Sequence, residues 1–299
     1  AAHHVGDIWQ GDFFLGPWID TPTGMQKTYL VTFMDDASRL ICHSGFYLNE
    51  TAVSVEHALK EALLKRGLPK KLVIDNGAAY RAETLKHICA RLEIRLVYCR
   101  PYEPEGKGKL ERWHRTLREN FLSELSQTMV RGLDELNAKL WVWLEHYYHQ
   151  QPHSGLDKKI TPLQRWQQEL NQMRPLGPLA QHLDDYFYHR IKRTIRKDGT
   201  LSYEGKRYEV PHAYVKQTVY LVVEPHAGKA LWVESLDYEK LSPVHPLDKH
   251  ANINRQRQRP GLAASDTKSA KAATNLVDVL CDKANKALDI TESQLNEEK

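Results

Sequence analysis

The chain is predicted to be an α/β protein: a mixed five-stranded sheet with flanking helices, then a small all-β barrel, then a helical tail. Three observations predict this. Over residues 8–126, short apolar runs and helical repeats follow the order β-β-β-α-β-α-β-α. Three successive strands ahead of α/β crossovers suit one sheet, antiparallel on one side and parallel on the other. After Met173-Arg174-Pro175-Leu176-Gly177-Pro178, short β runs separated by turns replace that pattern, and helical spacing returns near the end.

The elements follow in order. Residues 8–14, 27–35 and 39–48 are predicted strands, and Thr28 to Phe33 is rich in β-branched and aromatic residues. Asp35-Asp36-Ala37-Ser38 is turn chemistry, which joins the second and third strands as a hairpin and gives Asp35 and Asp36 a structural role. Residues 51–66 are a predicted helix with Val55, Leu59, Ala62 and Leu63 on one face. Lys65 and Arg66 suit its C-terminal dipole, Gly67 suits the position after its end, and Pro69 blocks continuation. Leu72-Val73-Ile74 is a short buried strand, 82–93 a second helix and Arg95 to Cys99 a fifth strand. A Pro/Gly loop from Arg100 to Gly108 leads into a long basic helix from about 109 to 126. Helices at 133–150 and 161–171 extend the domain.

From 185 to 247, β runs are punctuated by Lys197-Asp198-Gly199, Glu204-Gly205 and His226-Ala227-Gly228, the spacing of a small antiparallel barrel. The expected domains are 1–173, 184–248 and 249–299. The last is a basic linker followed by an amphipathic helix carrying Val277, Leu280, Cys281, Ala284 and Leu288.

Composition narrows the function. The 299 residues carry a net charge of +4, and the basic residues are clustered. Arg100, Lys107, Lys109, Arg112, Arg115 and Arg118 form one group, Arg190, Lys192, Arg193, Arg196 and Lys197 a second, and Arg255, Arg257 and Arg259 a third. Such clusters are the electrostatic footprint of phosphate binding. Lys107, Lys109, Arg112, Arg115, Arg118, Arg190, Lys192 and Arg193 are the candidate DNA contacts. Four scattered cysteines without a Cys-x-x-Cys pair argue against a zinc site or a disulfide framework and suit a reducing cytoplasm. No apolar run approaches the ~20 residues of a membrane span, and no signal peptide is recognisable.

Asp12, Asp75 and Glu111 are the candidate catalytic and metal-binding residues. Asp12 interrupts the apolar run Ile8 to Phe14, Asp75 ends Leu72-Val73-Ile74, and Glu111 opens the basic helix. Carboxylates converging on one cleft suit hard divalent cations, and two such ions can clamp the attacking and leaving oxygens of a phosphodiester.

Trp9-Gln10-x-Asp12, Asp75-Asn76-Gly77 and the thirty-five residues between Asp75 and Glu111 together resemble a DDE transposase of the retroviral-integrase type. Pro152-His153-Ser154-Gly155-Leu156 and Thr161-Pro162-Leu163 resemble the segment after the catalytic core in bacterial insertion-sequence transposases. The resemblance covers roughly residues 5–250. It implies a ribonuclease-H-like fold with a C-terminal barrel of the Mu-transposase type, and two Mg²⁺ ions, replaceable by Mn²⁺, on Asp12, Asp75 and Glu111. It further implies 3′-end cleavage and strand transfer on double-stranded DNA, a homo-oligomer on that DNA, and a bacterial cytoplasmic location at the nucleoid. For the tail helix two partners stand open: the chain's own catalytic domain or a neighbouring subunit, and, as in some transposases that it resembles, an ATPase regulator. Family members usually carry helix-turn-helix domains ahead of the first strand. Two alternatives share these residues: a ribonuclease-H-like nuclease that cuts without joining, and a domesticated DNA-binding protein without catalysis.

Overall fold

The computed structural model describes residues 2–99, 108–125, 130–157 and 160–247. Its first sheet has the strand order β3-β2-β1-β4-β5. The strands are β1 (Ile8–Thr21), β2 (Gly24–Asp35), β3 (Ile41–Tyr47), β4 (Lys71–Ile74) and β5 (Arg95–Tyr98). The β1–β2 and β2–β3 pairs are antiparallel, while β1–β4 and β4–β5 are parallel. The crossovers are α1 (Ala52–Arg66), leading to β4, and α2 (Glu83–Arg91), leading to β5. This is the ribonuclease-H-like arrangement.

Both β1 and β2 run further than their alternation predicts, meeting at a tight turn over Pro22 and Thr23. The register slips between Leu15 and Trp18. A bulge there accommodates Pro17, which has no N–H to give to a ladder and breaks the apolar alternation.

Alternation along β2 builds two cores. Val31 and Phe33 join Trp9, Leu59, Leu63, Leu72 and Ile74 on the face covered by α1 and α2. Leu30 and Met34 join Leu110, Trp113, Leu117, Leu140 and Leu144 on the other. The second face is covered by α3 (Gly108–Leu117), which continues through a π-helical turn (Arg118–Leu122) into α4 (Ser123–Leu125), and by α5 (Leu133–His146). Helix α1 has the expected ends. Thr51 caps it through Ser54 N, and Gly67, at φ 86, donates to Leu63 O at 2.9 Å. Helix α6 (Pro162–Gln168) begins with a capping box between Thr161 and Gln164.

The β runs expected from residue 185 begin at His189. Leu183–Phe187 form a helical turn, α7, with Leu183 and Phe187 buried in the first core. Asp184 and Asp185 suit its N-terminal end. Seven strands follow in two sheets, β11-β10-β9-β6 and β12-β8-β7. They are β6 (His189–Thr194), β7 (Thr200–Tyr203), β8 (Lys206–Glu209), β9 (Thr218–Glu224), β10 (Lys229–Glu234), β11 (Lys240–Pro243) and β12 (His245–Pro246). They share one core of Ile195, Leu201, Tyr208, Val219, Leu221 and Val233. The expected closed barrel is replaced by these two sheets, because among the described residues no ladder joins β6 or β11 to the three-stranded sheet. Residues through Leu247 form one compact unit. His189 bonds Glu56 of α1 at 2.6 Å, and Lys60 of α1 pairs with Asp184 at 2.5 Å. The predicted linker and tail helix, with the docking role expected of them, lie outside the described residues.

Candidate active site

The parallel β1–β4 ladder sets the site. Trp9 pairs with Leu72 and Gln10 with Val73. Carried two residues further, the same register sets Asp12 of β1 level with Asp75, the residue that follows β4, where neighbouring strands run roughly 4.8 Å apart. Both are half-buried. The chain before Asp12 approaches β2 and β4 closely: a Cβ on Gly11 would lie 2.7 Å from Phe33 Cε1 and 2.9 Å from Ile74 Cγ2. Only glycine allows that contact. Beyond β4 the backbone turns sharply. Gly77 N donates to Asp75 Oδ1 at 2.8 Å, and Asn76 Nδ2 donates to Cys99 O at 2.8 Å, holding the end of β4 to the end of β5.

Tyr80 lies behind this pair, fully buried, its ring 5.2 Å from that of Phe13. Its hydroxyl has no hydrogen-bond partner among the described residues. Burial, then the charges of Asp12, Asp75 and Glu50, push its pKa well above the ordinary tyrosine value, so it stays protonated.

Helix α3 crosses the face that carries Gln10, Asp12 and Phe14. At its start Lys109 Nζ donates to Asp36 Oδ1 at 2.6 Å, and Gln10 Nε2 donates to the same oxygen at 2.6 Å. Further along, Trp113 Nε1 donates to Thr32 Oγ1 at 3.3 Å, and Thr32 is the β2 partner of Asp12. His114 packs against Phe14 in a tilted ring pair with centroids 5.0 Å apart, and Arg118 lies over the same ring at 5.3 Å. Glu111 stands between Lys109 and Trp113 in the sequence of α3 and is exposed. Among the described residues, no three His, Cys, Asp or Glu side chains are gathered closely enough to hold a metal. The β1–β4 register, carried on, sets Asp12 level with Asp75, while Glu111 is exposed on α3.

The basic candidates divide. Arg112 and Arg115 are exposed on α3, and Arg118 is exposed at the start of the π-helical turn that follows it. Lys109 is instead engaged by the buried Asp36, whose side chain is 2% exposed. Arg190 is engaged likewise: its Nε and Nη2 donate to Glu234 at 2.7 and 3.2 Å. Arg193 donates to the carbonyls of Ser202 and Lys192, and Lys192 is exposed. Arg100 and Lys107 lie outside the described residues, as do Arg255, Arg257 and Arg259.

Asp35 and Asp36 hold the turn and the first residues of the chain. Asp35 accepts from Gly6 N at 2.9 Å and from Ser38 N and Oγ at 2.8 and 2.7 Å. Asp36 Oδ2 accepts from Ala2 N at 2.6 Å. The sequence reading missed Tyr80, and it missed the Gln10–Asp36–Lys109 contact, whose members have no local pattern linking them.

Two integrase core domain models match the chain, over residues 2–104 and 92–162. The transposase of transposon Tn552 from Staphylococcus aureus is 26% identical over 245 residues, 74% of this chain and 50% of that protein. A transposase for an IS21-like insertion sequence element from Bacteroides fragilis is 31% identical over 117 residues, 38% of this chain and 21% of that protein. The chain thus spans half of the first relative and less of the second. Among solved structures, the HTLV-2 integrase catalytic core domain in complex with magnesium aligns at a TM-score of 0.43 with 20% identity, covering 55% of this chain and 99% of that one. The family matches run together over residues 2–162, more than half of the sequence, and the chain belongs to the integrase-core family of transposases and integrases.

Proposed function

We propose that the chain is the catalytic part of a DNA transposase, cutting 3′ ends and joining them to target DNA with divalent metal. The observation that carries this reading is the Asp12–Asp75 pair, set by the β1–β4 register within an integrase core. Two carboxylates on adjacent strands repel each other when both are ionised, and a hard cation with oxygen ligands relieves that repulsion. The donor set thus fits Mg²⁺ or Mn²⁺, held by Asp12 and Asp75 with Glu111 completing it. Two ions bound there would stabilise charge on the attacking and leaving oxygens.

The chain's own residues supply position and charge. The Gly77 amide fixes Asp75 Oδ1. The Lys109–Asp36 contact fixes the start of α3, two residues before Glu111. Arg115 and Arg118 follow Glu111 by four and seven residues along one helical face, where they would hold phosphates next to the scissile one. The acting species is an oligomer on double-stranded DNA. Among the described residues, no helix is long and apolar enough to cross a membrane.

The test uses the full chain, Mg²⁺, a labelled duplex carrying the element's end and a supercoiled target plasmid. The expected products are a 3′ cut and a joined strand, both reduced to background by Asp12→Asn, Asp75→Asn and Glu111→Gln. Near-normal joining by Glu111→Gln would remove it from the ligand set. Cutting without joining would make the chain a nuclease, and DNA binding without any metal-dependent product would make it a silent binding protein.

A further inference from the structure

We infer that Arg39, Arg112 and His153 form a binding site for a DNA backbone phosphate on the flank of α3, beside the carboxylates and separate from the scissile bond. This rests on the DNA reading above.

Arg39 closes the β2–β3 turn at φ 64, an uncommon conformation for a residue with a side chain. Its backbone is held from both directions: Arg39 N donates to Asp35 O at 2.9 Å, and Tyr148 Oη donates to Arg39 O at 3.3 Å. Its guanidinium is half-buried, and Nη1 is buried without a hydrogen-bond partner among the described residues. The nearby carboxylates already accept from other groups: Asp35 from Gly6 and Ser38, Asp36 from Gln10, Lys109 and Ala2. A buried donor left in this state is costly, and an incoming acceptor removes the cost.

Arg112 and His153 are near enough to feel its charge. They meet at Gly155, where an added Cβ would lie 3.6 Å from Arg112 Nη1 and 3.1 Å from His153 Cε1. Gly155 N donates to His153 Nδ1 at 3.0 Å, so the ring proton is on Nε2, a donor. Burial first, then the charges of Arg39 and Arg112, lower the His153 pKa to about 4, so at neutral pH the ring stays an uncharged donor. Two guanidiniums and an imidazole N–H from three separate elements are the donors a phosphate needs. A cavity of about 440 Å³ runs alongside, lined by Ala37, Gly155, Leu156, Ile160 and Arg165, with Asp157 as its acidic member. Arg112 follows Glu111 by one residue, about 100° around the helix. A phosphate held here therefore belongs to a nucleotide near the reacting one.

The experiment measures binding of the full chain to a labelled random-sequence duplex in EDTA, from roughly 50 to 300 mM NaCl. Arg39→Gln and Arg112→Gln are each expected to weaken binding about tenfold at low salt and to take about 0.9 from the magnitude of the log–log salt slope. His153→Asn should weaken binding with the slope unchanged, and Arg39→Lys should restore the slope. Wild-type affinity and slope in both glutamine variants would overturn the site while leaving the DNA reading intact. Absence of salt-dependent binding by the unsubstituted chain would overturn both. If circular dichroism shows Arg39→Gln unfolded, Arg112→Gln, at an exposed position, decides.

Discussion

Replacing Lys109 by methionine separates two roles for one cation, phosphate contact and anchor for α3. Lys109 Nζ is 2.6 Å from Asp36 Oδ1 and 3.2 Å from Asp36 O, with the Lys109 side chain 24% exposed and that of Asp36 2% exposed. Lys109→Met leaves a buried carboxylate with Gln10 Nε2 and Ala2 N as its remaining donors. Loss of a charge-assisted bond costs about 1.5–3 kcal/mol, and the partial exposure of Lys109 together with the remaining donors puts the expected loss near the lower end. The assay is urea unfolding of Lys109→Met, Asp36→Asn and the double variant. The cycle should return a coupling of about 1–2 kcal/mol, because the second substitution removes the stranded charge. Metal-dependent cleavage should fall with Lys109→Met while the salt slope of DNA binding stays unchanged, since the helix start that carries Glu111 is loosened. A coupling near zero together with a slope reduced by about 0.9 would refute the anchor and make Lys109 a phosphate contact.

Two further outcomes are expected. Gly11→Ala places a methyl group 2.7 Å from Phe33 Cε1 and 2.9 Å from Ile74 Cγ2, so it should destabilise by about 1–3 kcal/mol and reduce cleavage by shifting Asp12 against Asp75; an unchanged urea midpoint and rate would show that β1 has room there. His57, stacked on His226 at 3.6 Å and bonded to Tyr47 Oη at 2.9 Å, has a pKa lowered to about 4 by burial first, then by His226, Lys60 and Lys65. The folded state thus binds the proton less readily than the unfolded chain, and the stability held above about pH 6.5 should decline as pH falls toward 4. The melting temperature of the chain should fall relative to that of His57→Phe as pH drops from about 6.5 toward 4, and parallel profiles would refute the assignment.

Local chemistry made most of the sheet legible. The β-branched run from Thr28 to Phe33, the helical repeat of Val55, Leu59, Ala62 and Leu63, and the Lys65-Arg66-Gly67 ending of α1 each record a nearest-neighbour preference of the backbone, and each takes the predicted form. The candidate carboxylates were legible for a related reason. An acid inside an apolar strand, and another at a strand's end, stand out against the pattern around them. Their adjacency is not local, since it follows from the β1–β4 register alone. The ends of β1 and β2 were missed because Pro17 interrupts the alternation that a bulge accommodates. Barrel closure was misjudged because strand spacing counts strands and does not say whether the outermost ones pair.

The amino-acid sequence by itself determined the element order, the family and the three acids worth testing, because propensity, capping and spacing act over a few residues. Tertiary structure alone decided which charges stay available. Lys109 lies 73 positions from Asp36, and Arg190 lies 44 from Glu234. Nothing in their neighbourhoods distinguishes them from the exposed Arg115 or Lys192. Whether a cation meets a buried carboxylate or remains open to a phosphate depends on which distant strand or helix packs against it.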